Sequence, residues 1–350
     1  MKPNFAFSAL LILLLLTTVV GCSSGESETD DFARAFVPNA GDGTVSVINL
    51  ETLTVIATVL VSPGATGTTS HGVAVDRVGG HFFVGDVPAG VLRVYDTTVF
   101  EEVARIELEI HLHGIDLSPA GLIVASGTRM GEESKETVLI NAADFTVEAV
   151  LQTDISGHAT SHPAGRYVYI ADIVEHRLAV IDLETRAVVG EFFVGPEDWP
   201  EDAVGPNELA FSPDGKWAYS ADFGSQTISI IDTSDPGAPR VTDRISMADL
   251  PHGIEVTPDS KTLWIANRGS RDVVVLDAAT HVEQARISVA PYSANHTALS
   301  PDGRFAYVTV TATSDVSTLE GYLIVLDTST FAEVGRIELG ITPHEISLDR

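Results

Sequence analysis

Eleven histidines occur in the 350-residue chain, and seven of them gather at one place in a repeated segment. When the short apolar segments that precede each tight turn are aligned, His71, His113, His252 and His344 fall in one column, with Asn207 and Asn295 in the same column of two further repeats. One position on stand His158, Glu208, His296 and Glu345. His111, two residues before His113, is expected to point the same way by the period-two geometry of a strand. Converging neutral imidazoles are ligands for zinc, copper or nickel, and a nearby carboxylate fixes the tautomer of a ligating ring. Asp86, Asp172 and Asp222, which end the following segments, are expected to supply such carboxylates. Two other readings stand beside metal binding. The histidines could bond backbone carbonyls between repeats, or the same residues could serve catalysis. His81, His176, His281 and His162 fall outside the two columns and read as surface or turn residues.

The elements that must position these residues repeat along the chain. A short apolar strand runs into a turn such as Ser212-Pro213-Asp214-Gly215 or Ser300-Pro301-Asp302-Gly303. An aromatic strand follows (Trp217 to Asp222, Leu263 to Asn267, Phe305 to Thr309), and then a third strand ending in Asp or Asn. Those terminal residues are Asn49, Asp96, Asn141, Asp182, Asp232, Asp277 and Asp327, at spacings of 47, 45, 41, 50, 45 and 50. Four short strands per unit of this length, seven times over, predict an all-β, seven-bladed β-propeller. The tight Pro-Asp-Gly turns join first and second strands, and the terminal Asp or Asn starts the turn into the fourth. The chain ends on a first strand, Pro343 to Leu348, and opens on a second strand, Ala35 to Asn39. The C-terminal strand is therefore expected to close the N-terminal blade and leave no open edge.

These units resemble the YVTN β-propeller repeat family, whose pattern runs aromatic-Val-Thr-Asn, Val-x-Val-Ile-Asp, Pro-His-Gly, Ser-Pro-Asp-Gly. The resemblance covers nearly the whole chain after its N-terminal segment. It implies the fold; for function it spans ligand-binding, metal-handling and surface proteins and enzymes related to lactonases, so the site must decide.

Lys2 and the apolar run Phe5 to Val20, ending in Val19-Val20-Gly21-Cys22, read as a bacterial lipoprotein signal over residues 1–21. Cys22, the only cysteine, stands where lipidation requires it, which leaves no disulfide or thiolate metal site. Residues 22–33 read as an acidic tether and 34–350 as the propeller. The expected location is the bacterial cell envelope, lipid-anchored and facing the periplasm or the exterior. A net charge of −29 disfavours nucleic acid as a partner. The acidic connection Gly195 to Pro206 carries Trp199 and leads into Asn207, so Trp199 is a candidate lid or docking element at the channel mouth. No phosphate loop, Gly-x-Ser-x-Gly elbow or His-Glu-x-x-His motif occurs. The sequence thus points to an anchored propeller that binds a transition-metal ion (zinc or copper) or a small polar ligand at a histidine-lined mouth. The alternatives are a scaffold for an envelope protein partner, and a lactonase-like or metal-dependent enzyme.

Overall fold

The computed structural model describes residues 32–64, 68–174, 176–196, 205–247, 250–314 and 319–349. Within them the chain forms seven antiparallel four-stranded sheets. Six are built from consecutive strands. In blade one, Ser347–Asp349 pairs with Arg34–Asn39, which is followed by Thr44–Asn49 and Thr54–Leu60. The C-terminal closure is in place, but the strand is shorter than the sequence suggests. Arg34, Ala35 and Phe36 face Asp349, Leu348 and Ser347, and a single bridge links Asn39 to Pro343. The partly buried Arg34 pairs with the buried Asp349 at this seam, with Arg34 Nε 2.8 Å from Asp349 Oδ2.

Each of the seven third strands ends on the Asp or Asn that the repeat marks, and each of these accepts the amide two residues downstream. The distances are 2.8 Å at Asn49, 2.7 Å at Asp96, 2.9 Å at Asn141, 2.9 Å at Asp182, 2.9 Å at Asp232, 3.1 Å at Asp277 and 3.0 Å at Asp327. The side chain thereby mimics a backbone turn and sets the hairpin into the outer strand. Two residues further on, the chain enters the left-handed region in six blades, with φ of 59° at His281 and 58° at Phe331 among them. His281 is accordingly a turn residue.

The core lies between the blades. Seven hydrophobic clusters each join two neighbouring blades, and the last joins blade seven to blade one through Tyr307, Leu323 and Val325 against Ala35, Val37 and Ile48. This explains why second and third strands read as unbroken apolar runs: Tyr167–Asp172 and Arg177–Asp182 are buried on both faces, whereas the outer strand Ala187–Phe193 is half exposed. The inner strands surround the axis and bring the histidine columns to one end of it.

Candidate metal centre

Local bulges place the histidines. In four inner strands the pairing register skips at the mouth, between Leu112 and Gly114, Pro206 and Glu208, Pro251 and Gly253, and Ala294 and Thr297. The skipped residues are His113, Asn207, His252, and the pair Asn295–His296. A bulge re-aims the side chain of its extra residue, and here the re-aimed residues belong to the two columns. Glycines open the space between them. A Cβ on Gly114 would lie 2.6 Å from His158 Cα, and one on Gly253 2.6 Å from His296 Cα and 3.1 Å from Glu208 Oε2.

Six imidazoles meet there. His71, His113 and His158 offer ligand atoms all within 4.8 Å of one another, and so do His252, His296 and His344. The two triads adjoin, with ring centroids 3.8 Å apart for His71–His344 and 5.5 Å for His158–His296. Around the rim, His71 Nδ1 donates to the His113 carbonyl at 3.2 Å, and His252 Nδ1 donates to the Asn295 carbonyl at 3.0 Å. Asn295 itself donates to the Pro343 carbonyl at 2.9 Å. The inter-blade bonding read as an alternative from the sequence is therefore present, but it uses one nitrogen of each of these rings.

Deeper in, two carboxylates hold two rings. His158 Nδ1 is 3.2 Å from Glu345 Oε1, and His296 Nδ1 is 3.2 Å from Glu208 Oε2. Each carboxylate also accepts a backbone amide of the adjoining blade, Val73 N–H for Glu345 and Ile254 N–H for Glu208, both at 3.1 Å. These contacts leave Nε2 of His158 and of His296 buried without a partner, along with Nδ1 of His344. Below this layer an axial cavity of about 450 Å³ continues along the channel, lined in part by Asp116, Thr160, Ser161, Glu208, Glu255 and Glu345.

Burial, then the mutual proximity of the rings, keeps His71, His252 and His344 well below the usual imidazole range. Burial, with His158 beside them, brings His113 and His296 down to about 3. These five rings are therefore neutral at pH 7. His158 runs the other way: burial opposes its charge, but the Glu345 hydrogen bond and carboxylate outweigh it and raise its pKa. Glu208 is pushed up to about 8, chiefly by burial. Glu208 thus keeps its proton at pH 7, while the Glu345 contact favours the protonated form of His158.

Other expectations place differently. His111 is exposed and outside the cluster, because the bulge at His113 breaks the alternation that would have aligned them. Asp86, Asp172 and Asp222 do not reach the histidines. Asp86 bonds Ser62 and Arg93, Asp172 bonds Lys135 and the Val174 amide, and Asp222 bonds Ser220, Thr227 and Ser229. They tie strands within and between blades, and the carboxylate role falls to Glu208 and Glu345. His162 is buried, with Nε2 2.8 Å from the Gly215 carbonyl of the next blade. Asn207 is buried at the start of its inner strand. Trp199 and Cys22 lie outside the described residues.

One residue at the mouth carries no signal in the two columns. Arg268 directs Nη1 to His252 Nε2 at 3.3 Å. At the position after the second strand's terminal Asp or Asn, four other blades have Ala40, Val87, Ile173 and Phe223. A cation in that otherwise uncharged column is the mark that would have found it.

A closed seven-bladed β-propeller with a six-histidine channel mouth is the class that fold and site define. A family model described as "Lactonase, 7-bladed beta-propeller" matches residues 109–281. Among solved structures, the periplasmic gluconolactonase PpgL of Pseudomonas aeruginosa is similar with TM-score 0.69 and 18% identity, over 91% of this chain and 99% of that one. A functionally unknown protein of Desulfotomaculum acetoxidans gives 0.70 and 16%, over 90% and 98%. Kuenenia stuttgartiensis hydrazine synthase gives 0.66 and 19%, over 80% and 92%. At these identities the likeness is one of fold. A search of curated proteins gives no match.

Proposed function

We propose that the protein binds transition-metal ions, zinc or copper, at the channel mouth, with one ion position in each histidine triad. The observation that carries this reading is the set of buried ring nitrogens without partners, His158 Nε2, His296 Nε2 and His344 Nδ1, inside a cluster of six imidazoles. A buried polar atom without a hydrogen bond costs about 1–3 kcal/mol, and a coordinated cation removes that cost. The His158–Glu345 pair supports the reading, since a carboxylate on Nδ1 fixes the tautomer that turns Nε2 toward an ion. Three nitrogens per ion leave a coordination position open for water or a ligand, the arrangement of catalytic rather than structural zinc.

We place the protein outside the cytoplasm on a lipid at Cys22, on the strength of the apolar leader and the position of the single cysteine. Titration of the form starting after Cys22 with zinc and copper tests the metal reading. Two ions per chain are expected, falling to one in His113→Ala and one in His252→Ala. Failure to bind either metal in a folded protein would refute it.

A second reading rests on the family match over residues 109–281. An ion at an open triad would polarise a lactone carbonyl and lower the pKa of bound water to about 7; water addition then opens the ring to a hydroxy acid. Ion-dependent hydrolysis of aldonolactones, lost in His252→Ala, is the expected result. Lactone turnover unchanged after chelation would separate the activity from this site.

A further inference from the structure

Among the described residues Arg268 is the one side chain at the histidine cluster with a permanent positive charge, and it is half-buried. Among the described residues no carboxylate pairs with it. Its side-chain hydrogen bond runs to a neutral ring, His252 Nε2, at 3.3 Å. Because His252 Nδ1 already donates to the Asn295 carbonyl, Nε2 is the only nitrogen with which His252 could ligate an ion. Arg268 and an ion at the second triad therefore compete for one lone pair. A guanidinium also sits poorly beside a divalent cation unless an anion stands between them. The ring of Phe223 lies edge-on to that of His252, with centroids 6.0 Å apart. The axial cavity is lined by Asp116, Glu208, Glu255 and Glu345 and suits no anion, so among the described residues an anionic ligand finds its permanent counter-charge on the Arg268 side.

We propose that Arg268 makes the His252–His296–His344 triad a joint site for a metal ion and a small carboxylate. The carboxylate accepts the guanidinium fork in the two-pronged geometry that arginine offers and draws Arg268 off His252. His252 Nε2 then turns to the ion, and a carboxylate oxygen faces the open coordination position. Ion and carboxylate each raise the affinity for the other, as linkage requires. Without the carboxylate, Arg268 acts as a latch that weakens ion binding at this triad. The inference rests on the metal reading of the site.

The test is cobalt(II) titration of the whole chain in buffer free of coordinating anions, followed by its visible absorption, with and without acetate. His113→Ala provides a background in which only the second triad is occupied. Acetate is expected to tighten cobalt binding on the order of tenfold and to change the spectrum, whereas chloride at the same ionic strength does neither. In Arg268→Gln the acetate effect disappears, and cobalt binds in acetate-free buffer at least as tightly as to the parent. A structural role for Arg268 would instead weaken cobalt binding with and without acetate. Should Arg268→Gln fail to fold, Arg268→Lys, which keeps the charge but not the fork, is expected to lose most of the coupling. Phosphate matching acetate would widen the ligand class to oxyanions and overturn the carboxylate assignment. Cobalt binding that ignores acetate overturns the inference and leaves the metal reading standing; no cobalt binding at all removes both.

Discussion

Glu345 Oε1 stands 3.2 Å from His158 Nδ1, although 187 residues separate the two in sequence and they belong to blades one and four. The carboxylate also receives the Val73 amide of blade two, so one side chain ties three blades together at the axis. Glu208 does the same for His296 and Ile254 in blades seven and six.

Replacing Glu345 with Gln keeps an acceptor for the Val73 amide and removes the charge that orients His158. Metal affinity is expected to fall about 10–100-fold with the thermal unfolding midpoint nearly unchanged. Competition against a chromophoric chelator measures it; equal affinities would mean that the carboxylate does not orient a ligand.

Binding should depend on pH unusually weakly for a six-imidazole site. Ordinary imidazoles would all need to lose protons, giving a steep loss of affinity below about pH 6.5. Here His113 and His296, brought down to about 3, are neutral throughout the physiological range, and His71, His252 and His344 are lowered as well. The protons displaced by an ion come from His158, whose pKa is raised, and from Glu208 near 8. Affinity therefore rises with pH until these two have titrated and then levels off. Calorimetry in buffers of different ionisation enthalpy counts the protons released; one per imidazole would contradict this assignment.

Gly114 admits no side chain. Its Cβ would meet Gly157 O at 2.5 Å, His158 Cα at 2.6 Å and Ala159 N at 2.7 Å, all on the backbone of the next blade. Gly114→Ala is expected to destabilise by about 2–3 kcal/mol and to weaken metal binding by shifting His158. Gly190→Ala, on an outer strand with nothing within 4 Å, is the matched control and should be neutral. Urea unfolding of both variants decides it.

Asp349, itself buried, pairs with the partly buried Arg34 at the seam that closes the ring. Asp349→Ala leaves the guanidinium without its partner and should cost about 3 kcal/mol. Deletion of residues 347–350 should do more, because blade one then shows an unpaired inner edge. Loss of a single cooperative unfolding transition is the expected signature, and an unaffected transition would show that the closing strand is dispensable.

The blades were legible because the Asp or Asn at each third-strand end does a local job: it bonds amides two residues away, so its spacing survives in the sequence. The histidine columns were legible for the same reason, as they recur at one point of the repeat. What the columns could not carry was direction. Bulges decide which of His111 and His113 turns to the axis, and pleat geometry alone gave the wrong answer for His111. Nor did the sequence separate the aspartates that bind strands together from the glutamates that orient rings, because partners across the axis lie far apart in the chain. Arg268 lies outside the two histidine columns, and its bearing on the site shows only beside His252.

The most direct measurement is an anomalous-scattering map from crystals soaked in zinc, collected on both sides of the metal edge. Two peaks are expected at the mouth, one bounded by His71, His113 and His158 and the other by His252, His296 and His344, each about 2.0–2.1 Å from ring nitrogens. A map with no peak there, with water bonded to His158 Nε2 and His296 Nε2 instead, would contradict the metal reading and leave the histidines as inter-blade packing.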